Sequence, residues 1–350
     1  MKPLRVFVAG ATGTIGQATV QALVRRGHEV VCLVRPPGRQ GRDGAQGVER
    51  RGLPATPGGA IGTDQLLPLQ TLLPGAILRI GHVQDPASLA RDGFCGERFD
   101  AVISCLASRT GTPRDAWAID HQAHLHLLEA ARAAGVRHFV LLSAICVQKP
   151  LLAFQQAKLA FEQALMASGL TWSIVRPTAF FKSLSGQVHR LRQGKPFLLF
   201  GDGALTACKP ISDADLGDYL AGCLDDASRH DRLLPIGGPG DAITPREQGQ
   251  LLFDALGLPP KFRQVPIGLM DLIIGVLSAL GRLVPALADK AELARIGRYY
   301  ATESMLVLDP ATGRYDAQAT PSHGQDTLAA HYRRLARGEV ADQRGDHAVF

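Results

Sequence analysis

Aromatic side chains make up only 6% of the 350 residues, and no block of five like charges occurs anywhere in the chain. With 38 Lys and Arg against 32 Asp and Glu the net charge is a mild +6, spread along the length, so the composition points to no nucleic-acid partner. The six cysteines, Cys32, Cys95, Cys105, Cys146, Cys208 and Cys223, show no CxxC spacing and sit mostly in apolar runs, where a free thiol behaves as a small hydrophobe. That excludes a disulfide framework and predicts a reduced compartment. A membrane span needs about 20 apolar residues, whereas the most apolar stretch, 272–281, is bounded by Asp271 and Arg282. No internal repeat is present. Residue 4 already opens a strand-like run, so no signal or transit segment is expected ahead of the fold, and a cytoplasmic setting is expected.

What remains is an ordinary globular composition, 46% apolar and 20% charged. LRVFVA (4–9) is a short β-branched run ending on Gly10, as buried parallel strands do. Ile15, Val20, Leu23 and Val24 then share one helical face, with Gly27 placed to end the helix. Further strand-like runs follow at 28–34, 77–83, 99–107, 138–144 and 171–177, separated by helical stretches, notably 115–134 and 154–168. Strand alternating with helix predicts an α/β fold, a doubly wound parallel sheet of Rossmann type. Residues 36–75 break this rhythm: fifteen of the forty are Gly or Pro, and a long loop carrying Arg39, Arg42, Arg50 and Arg51 is expected. Residues 1–180 are assigned to the nucleotide-binding domain. Residues 181–350 are assigned to a smaller substrate-side subdomain with C-terminal helices, partly returning to the sheet. Residues 267–287 are expected to form a buried helix of that subdomain, with a peripheral membrane-surface or partner-binding helix as the alternative.

Gly10-Ala11-Thr12-Gly13-Thr14-Ile15-Gly16 lies where the first βαβ unit must approach a pyrophosphate. Three residues without side chains allow a tight turn, close backbone approach to phosphate and close helix–strand packing, and the helix N-terminus favours negative charge. The second strand ends in Leu33-Val34-Arg35, with no carboxylate for a ribose 2′-OH. A guanidinium there suits a 2′-phosphate, so NADPH is the expected cofactor. His121, His124 and His126 crowd one helix, but no Cys or carboxylate stands at ligand spacing and no protein-bound metal is expected. Cys146 is read as a packed thiol, with proton donation as the alternative.

The sheet with its glycine turn resembles the short-chain dehydrogenase/reductase superfamily, whose usual proton donor is the tyrosine of a YxxxK pair. Here the helix after the fifth strand reads Phe154-Gln155-Gln156-Ala157-Lys158. The lysine is kept and the phenol is absent, which disfavours alcohol or ketone chemistry and favours a carbon–carbon double bond, whose reduction creates no alkoxide. CLASR (105–109), 138–162, VRPTAFFKSLSGQV (175–188), FGDG (200–203), CKPIS (208–212), LPIGGPG (234–240) and 296–313 resemble the NADPH-dependent divinyl chlorophyllide a 8-vinyl reductases, atypical members of that superfamily.

This resemblance implies reduction of the 8-vinyl group of a divinyl chlorophyllide or protochlorophyllide to ethyl in chlorophyll or bacteriochlorophyll synthesis, with the substrate as the expected partner and the photosynthetic membrane nearby. It implies that Lys158 orients the nicotinamide ribose and acts in catalysis. Cys105, Leu106 and Ala107 would end the fourth strand beside the cofactor, Ser143 would end the fifth, and Pro177, Thr178 and Ala179 would follow the sixth. Phe154, Phe180 and Phe181 are candidates for packing on the macrocycle, and Lys149, Lys182 or Lys209 for pairing with its free carboxylate. Two alternatives stay open at this point: another atypical reductase or epimerase acting on a lipid or terpenoid, and a non-catalytic NADP-sensing or assembly protein.

Overall fold

The computed structural model describes residues 2–36 and 63–340. Arginines 39, 42, 50 and 51 therefore lie outside the described residues. Seven strands form one wholly parallel sheet: β1 (Arg5–Ala9), β2 (Glu29–Val34), β3 (Ile77–Ile80), β4 (Ala101–Ser104), β5 (His138–Leu142), β6 (Thr171–Pro177) and, past β7 (Phe197–Phe200), β8 (Arg232–Ile236). Their order is β3-β2-β1-β4-β5-β6-β8, while β7 pairs with β9 (Phe262–Val265) in a separate two-stranded sheet. The chain winds outward from β1 in one direction and then resumes at β4 in the other. The crevice where ligands bind such folds is thus outside the carboxyl ends of β1 and β4.

The alternation of β1 shows why both faces are covered. Val6 and Val8 enter the core that holds Val20, Leu23 and Leu220, whereas Phe7 and Ala9 enter the opposite one, where Phe7, Phe94 and Phe99 meet ring to ring. Side chains of successive strand residues point to opposite faces, so a run that is apolar at every position is stable only between two helical layers. On the first face the helices Thr14–Arg25 and Asp213–Gly222 lie against each other closely enough that a Cβ on Gly217 would stand 2.5 Å from the Ala18 carbonyl carbon. An ion pair from Arg26 to Asp218 at 2.7 Å closes the end of this contact. Chain from beyond residue 180 therefore completes the parallel sheet and one of its helical layers, as β8 and as the helix Asp213–Gly222.

Two expectations need correction. The region 36–75 is not loop throughout: Thr63–Leu72 is helical, with Pro68 inside it. Leu69 and Leu72 pack against the first core and Leu73 is fully buried, so tertiary burial outweighs the local proline penalty. Residues 267–287 are not a buried helix. They form the helix Ile267–Gly281 and the start of a second, Pro285–Thr302, and of the first only Met270 is buried. Leu269, Leu272, Ile273, Val276, Leu280, Leu283 and Val284 are all exposed, Leu283 by 83%. An apolar run shows that a helix favours leaving water, but not that this chain supplies the cover. Among the described residues no helix is long and apolar enough to cross a membrane.

Candidate active site

The glycine turn has little freedom. Gly10 has φ +78°, and a Cβ there would stand 2.6 Å from the Cys105 carbonyl; a Cβ on Gly16 would stand 2.2 Å from the Gly10 oxygen. A Cβ on Gly13 meets only that oxygen, at 3.5 Å. Gly10 and Gly16 are thus required by the fold, while Gly13 faces open space at the N-terminus of the Thr14–Arg25 helix, a place that favours an anion. Thr12 is exposed, Thr14 is half-buried, and Ile15 is buried as the first core residue of that helix. Arg35 is exposed just past β2. This cradle fits a dinucleotide.

Cys105 follows β4, its N–H donating to the Ala9 carbonyl at 2.8 Å. Burial pushes its thiol up to about 12, so it stays protonated. Leu106 is half-buried and Ala107 exposed at the rim. Pro177 is the last residue of β6, and does not follow it as expected; Pro177 and Thr178 are buried, the Thr178 N–H donates to Ile236 at 2.9 Å, and the Ala179 carbonyl accepts from Ile211 at 2.9 Å. Those two backbone groups anchor the loop to the returning chain.

Lys158 lies on the helix Ala153–Met166, which packs beside the segment Trp117–Ala123. Its Nζ donates to Asp120 Oδ1 at 2.9 Å, with side-chain exposures of 11% and 0%. The same oxygen accepts from the Ser108 N–H at 3.2 Å, which ties in the loop after β4. One turn on, buried His124 has Nδ1 2.8 Å from the Ile119 carbonyl and Nε2 2.9 Å from Ser104 Oγ at the end of β4. A carbonyl only accepts, so Nδ1 carries the proton and Nε2 accepts from the serine. Burial and then the charge of Lys158 push this imidazole down to about 4.

The Ser143 hydroxyl donates to Glu162 at 2.5 Å, and the same buried carboxylate is paired with Arg176. Ser143 therefore faces a structural ion pair under the Ala153–Met166 helix. Phe154 stands where the phenol is missing, half-buried in a small cluster with Ile145, Cys146, Leu152, Ile296 and Tyr299. All five tyrosines lie at 219 or beyond, and two reach this wall from the Pro285–Thr302 helix. Tyr299 donates its hydroxyl to the carbonyls of Cys146 at 2.9 Å and Lys149 at 3.1 Å. Tyr300, next on the same helix, is exposed as a residue, and its phenol and the Cys146 thiol are both raised from their ordinary values, with burial the first cause.

The substrate-side candidates separate. Phe180 is half-buried beside the first core. Phe181 does not face the crevice: it is 4% exposed within a third core, 5.2 Å from the His331 ring. Lys149 is held by Glu303 at 2.7 Å, and Lys209 by the Thr320 carbonyl at 3.0 Å and Ser322 at 3.2 Å. Lys182 is half-buried in the short helix Phe181–Leu184, and burial raises the Asp213 carboxyl, a shift that Thr14 and Lys182 oppose. Sequence reasoning missed Asp120, Glu162 and the His124–Ser104 pair. The available signal was spacing: Asp120 stands four residues before His124, and Lys158 four before Glu162. Among the described residues no group of three His, Cys, Asp or Glu could hold a metal ion.

Comparison with known proteins decides the family. A divinyl chlorophyllide a 8-vinyl-reductase, chloroplastic, of Oryza sativa subsp. indica is 48% identical over 352 residues, 99% of this chain and 82% of the relative. The chain belongs to the divinyl chlorophyllide a 8-vinyl reductase family. A member from Arabidopsis thaliana is 45% identical over 100% of the chain and 81% of its own length. A family model described as NAD(P)H-binding matches residues 69–227. The fold of this reductase is also that of leucoanthocyanidin reductase from Vitis vinifera, solved with NADPH: TM-score 0.64, 16% identity, 95% of this chain and 99% of that one.

Proposed function

We propose that the protein reduces the 8-vinyl group of a divinyl chlorophyllide or protochlorophyllide to ethyl, with NADPH as reductant. The observation that carries this reading is 48% identity to a divinyl chlorophyllide a 8-vinyl-reductase across 99% of the chain. The site accords with it chemically. When bound, reduced nicotinamide would supply a hydride; its addition to one vinyl carbon would leave negative charge on the conjugated ring and none on an oxygen, and a proton taken from water at the other carbon would complete the ethyl group, so Phe154 is no handicap.

The chain's own residues bind and position. Gly10, Thr12, Gly13, Thr14, Ile15 and Gly16 would hold the pyrophosphate, Arg35 the 2′-phosphate, and Cys105, Leu106, Ala107, Pro177, Thr178 and Ala179 the nicotinamide end. Ser143 would support that end from β5 through its bond to Glu162. Lys158 would orient the nicotinamide ribose and place positive charge near the reacting carbon. Phe154 and Phe180 would meet the macrocycle. Lys182, and Lys149 once released from Glu303, would meet its carboxylate. Holding donor and acceptor about 3–3.5 Å apart with water excluded supplies several kcal/mol of barrier lowering.

The exposed helix Ile267–Gly281 is the proposed contact with the surface of the photosynthetic membrane. Its apolar face is open, Arg282 and Lys290 stand exposed beside it, and the helix after it walls the site through Ile296 and Tyr299.

Purified protein with NADPH and divinyl chlorophyllide is expected to shift the Soret band to shorter wavelength and yield the ethyl product by mass spectrometry. A spectral change on pigment binding with no NADPH oxidised would overturn catalysis; no change with either pigment would overturn the substrate.

A further inference from the structure

The resemblance brings Lys158 to the nicotinamide end, and the geometry ties it through Asp120 to the loop after β4; a lysine there has a difficulty of its own. Its four-carbon stem is flexible, and a strongly hydrated ammonium drawn into an apolar wall is favoured to swing back to water. Something must hold it. Its Nζ makes one hydrogen bond to a side chain, 2.9 Å to Asp120 Oδ1, and an ammonium has three N–H groups, so the bond fixes direction and leaves donors for a ligand.

Asp120 is built for that task. It is 1% exposed, and its second oxygen is buried with no hydrogen-bond partner among the described residues, an arrangement that packing alone would not select. It lies in Trp117–Ala123, a π-helical segment between the α-helical turns Pro113–Ala116 and His124–Ala133. Such widened turns shift a side chain relative to regular α spacing and recur at functional sites. Asp120 Oδ1 also takes the Ser108 N–H at 3.2 Å, so a single atom links the loop after β4 to the lysine. The neutral His124 one turn on contributes no competing charge.

We infer that Asp120 is a positioning residue: its carboxylate aims and retains the Lys158 ammonium at the nicotinamide ribose, and it acts on the reaction only through that lysine. The inference rests on the proposed reading for the role of Lys158, and its test needs no pigment, so failure of vinyl reduction and failure of this inference are distinguishable.

The test is a cycle of Asp120→Asn, Lys158→Met and the double variant, read by titrating NADPH fluorescence and by thermal midpoint. Each single variant is expected to raise the NADPH Kd about tenfold, and the double variant no further than the weaker-binding single, because coupled residues are not additive. Stability is expected to move the other way. Lys158→Met leaves a buried carboxylate without its cation, and adding Asp120→Asn recovers the midpoint without recovering affinity. A purely structural aspartate would make affinity follow the midpoint. An unchanged Kd in Asp120→Asn, or a double variant weakened about a hundredfold, the product of the singles, overturns the inference. Should Asp120→Asn alone fail to fold, Lys158→Met and the double variant decide between them: equal Kd supports it, and a further loss overturns it.

Discussion

The glycine turn and the hairpin from Ile267 to Thr302 are opposite solutions to the burial of apolar surface. At the turn, added atoms have nowhere to go: Gly16 is packed to 2.2 Å of backbone, as measured from the Cβ it lacks. On the hairpin, Leu272 and Leu283 are 64% and 83% exposed. The first region is complete within the chain, and its proposed ligand would be selected by backbone shape. The second leaves a greasy face open, and its cover has to come from outside the described residues. Constraint at one and exposure at the other make the effects of substitution differ accordingly.

The largest effect is expected at the turn. Gly16→Val should lower stability by several kcal/mol, since overpacking a tight contact costs about 1–3 kcal/mol and here the neighbour is backbone, and NADPH binding should disappear. Gly13→Ala should leave the thermal midpoint nearly unchanged while weakening NADPH. Calorimetry and cofactor titration on both variants check the contrast, and equal loss of stability in the two would break it.

Next in size is an acid-side effect from the sheet. Burial pushes both His124 and His138 down to about 4, from 6.5. Between about pH 6.5 and 4 the unfolded chain takes up protons at these positions that the folded chain refuses. Stability therefore falls as pH falls through that window, by on the order of 3 kcal/mol for each histidine. His138 donates Nε2–H to Ser173, whose hydroxyl donates onward to the Arg229 carbonyl. Since glutamine can supply the same donor, His138→Gln should flatten the acid limb of a urea-denaturation series; an unaltered limb would remove His138 as its source.

The smallest effect on the fold is expected on the hairpin. Leu272→Ser with Leu283→Ser should change stability by less than about 0.5 kcal/mol per site, as exposed positions do. The same pair should markedly reduce flotation with vesicles of anionic lipid. Wild-type protein that stays with the unbound fraction would refute the membrane contact.

The parts legible in the sequence were those written locally. β1, β2, β4, β5 and β6 are short apolar runs ending where the sheet ends, and the glycine turn follows β1 at once, so cofactor and fold class could be read from spacing alone. The missing phenol at Phe154 was legible for the same reason, by its offset from Lys158. The helix Thr63–Leu72 was hidden because the glycine and proline count masked leucines whose partners lie far along the chain. Exposure of the Ile267–Gly281 helix was hidden because hydropathy records a preference and not a neighbour. Asp120 was hidden by the π-helical segment, which breaks the regular α spacing that would have pointed it at Lys158. Phe181 looked like a ligand contact because pocket walls and interiors draw on the same residues.

The return of β8 to the sheet has a consequence for synthesis. β6 is an outermost strand until Arg232–Ile236 has been made and has paired with it in parallel register, Ser173 opposite Arg232 through Pro177 opposite Ile236. A nascent chain halted before that point exposes an unsatisfied row of amides and carbonyls beside an apolar face. The ribosome therefore releases a half-built nucleotide domain that is sticky until late in translation, and chaperone occupancy on stalled chains should drop sharply once that last strand emerges.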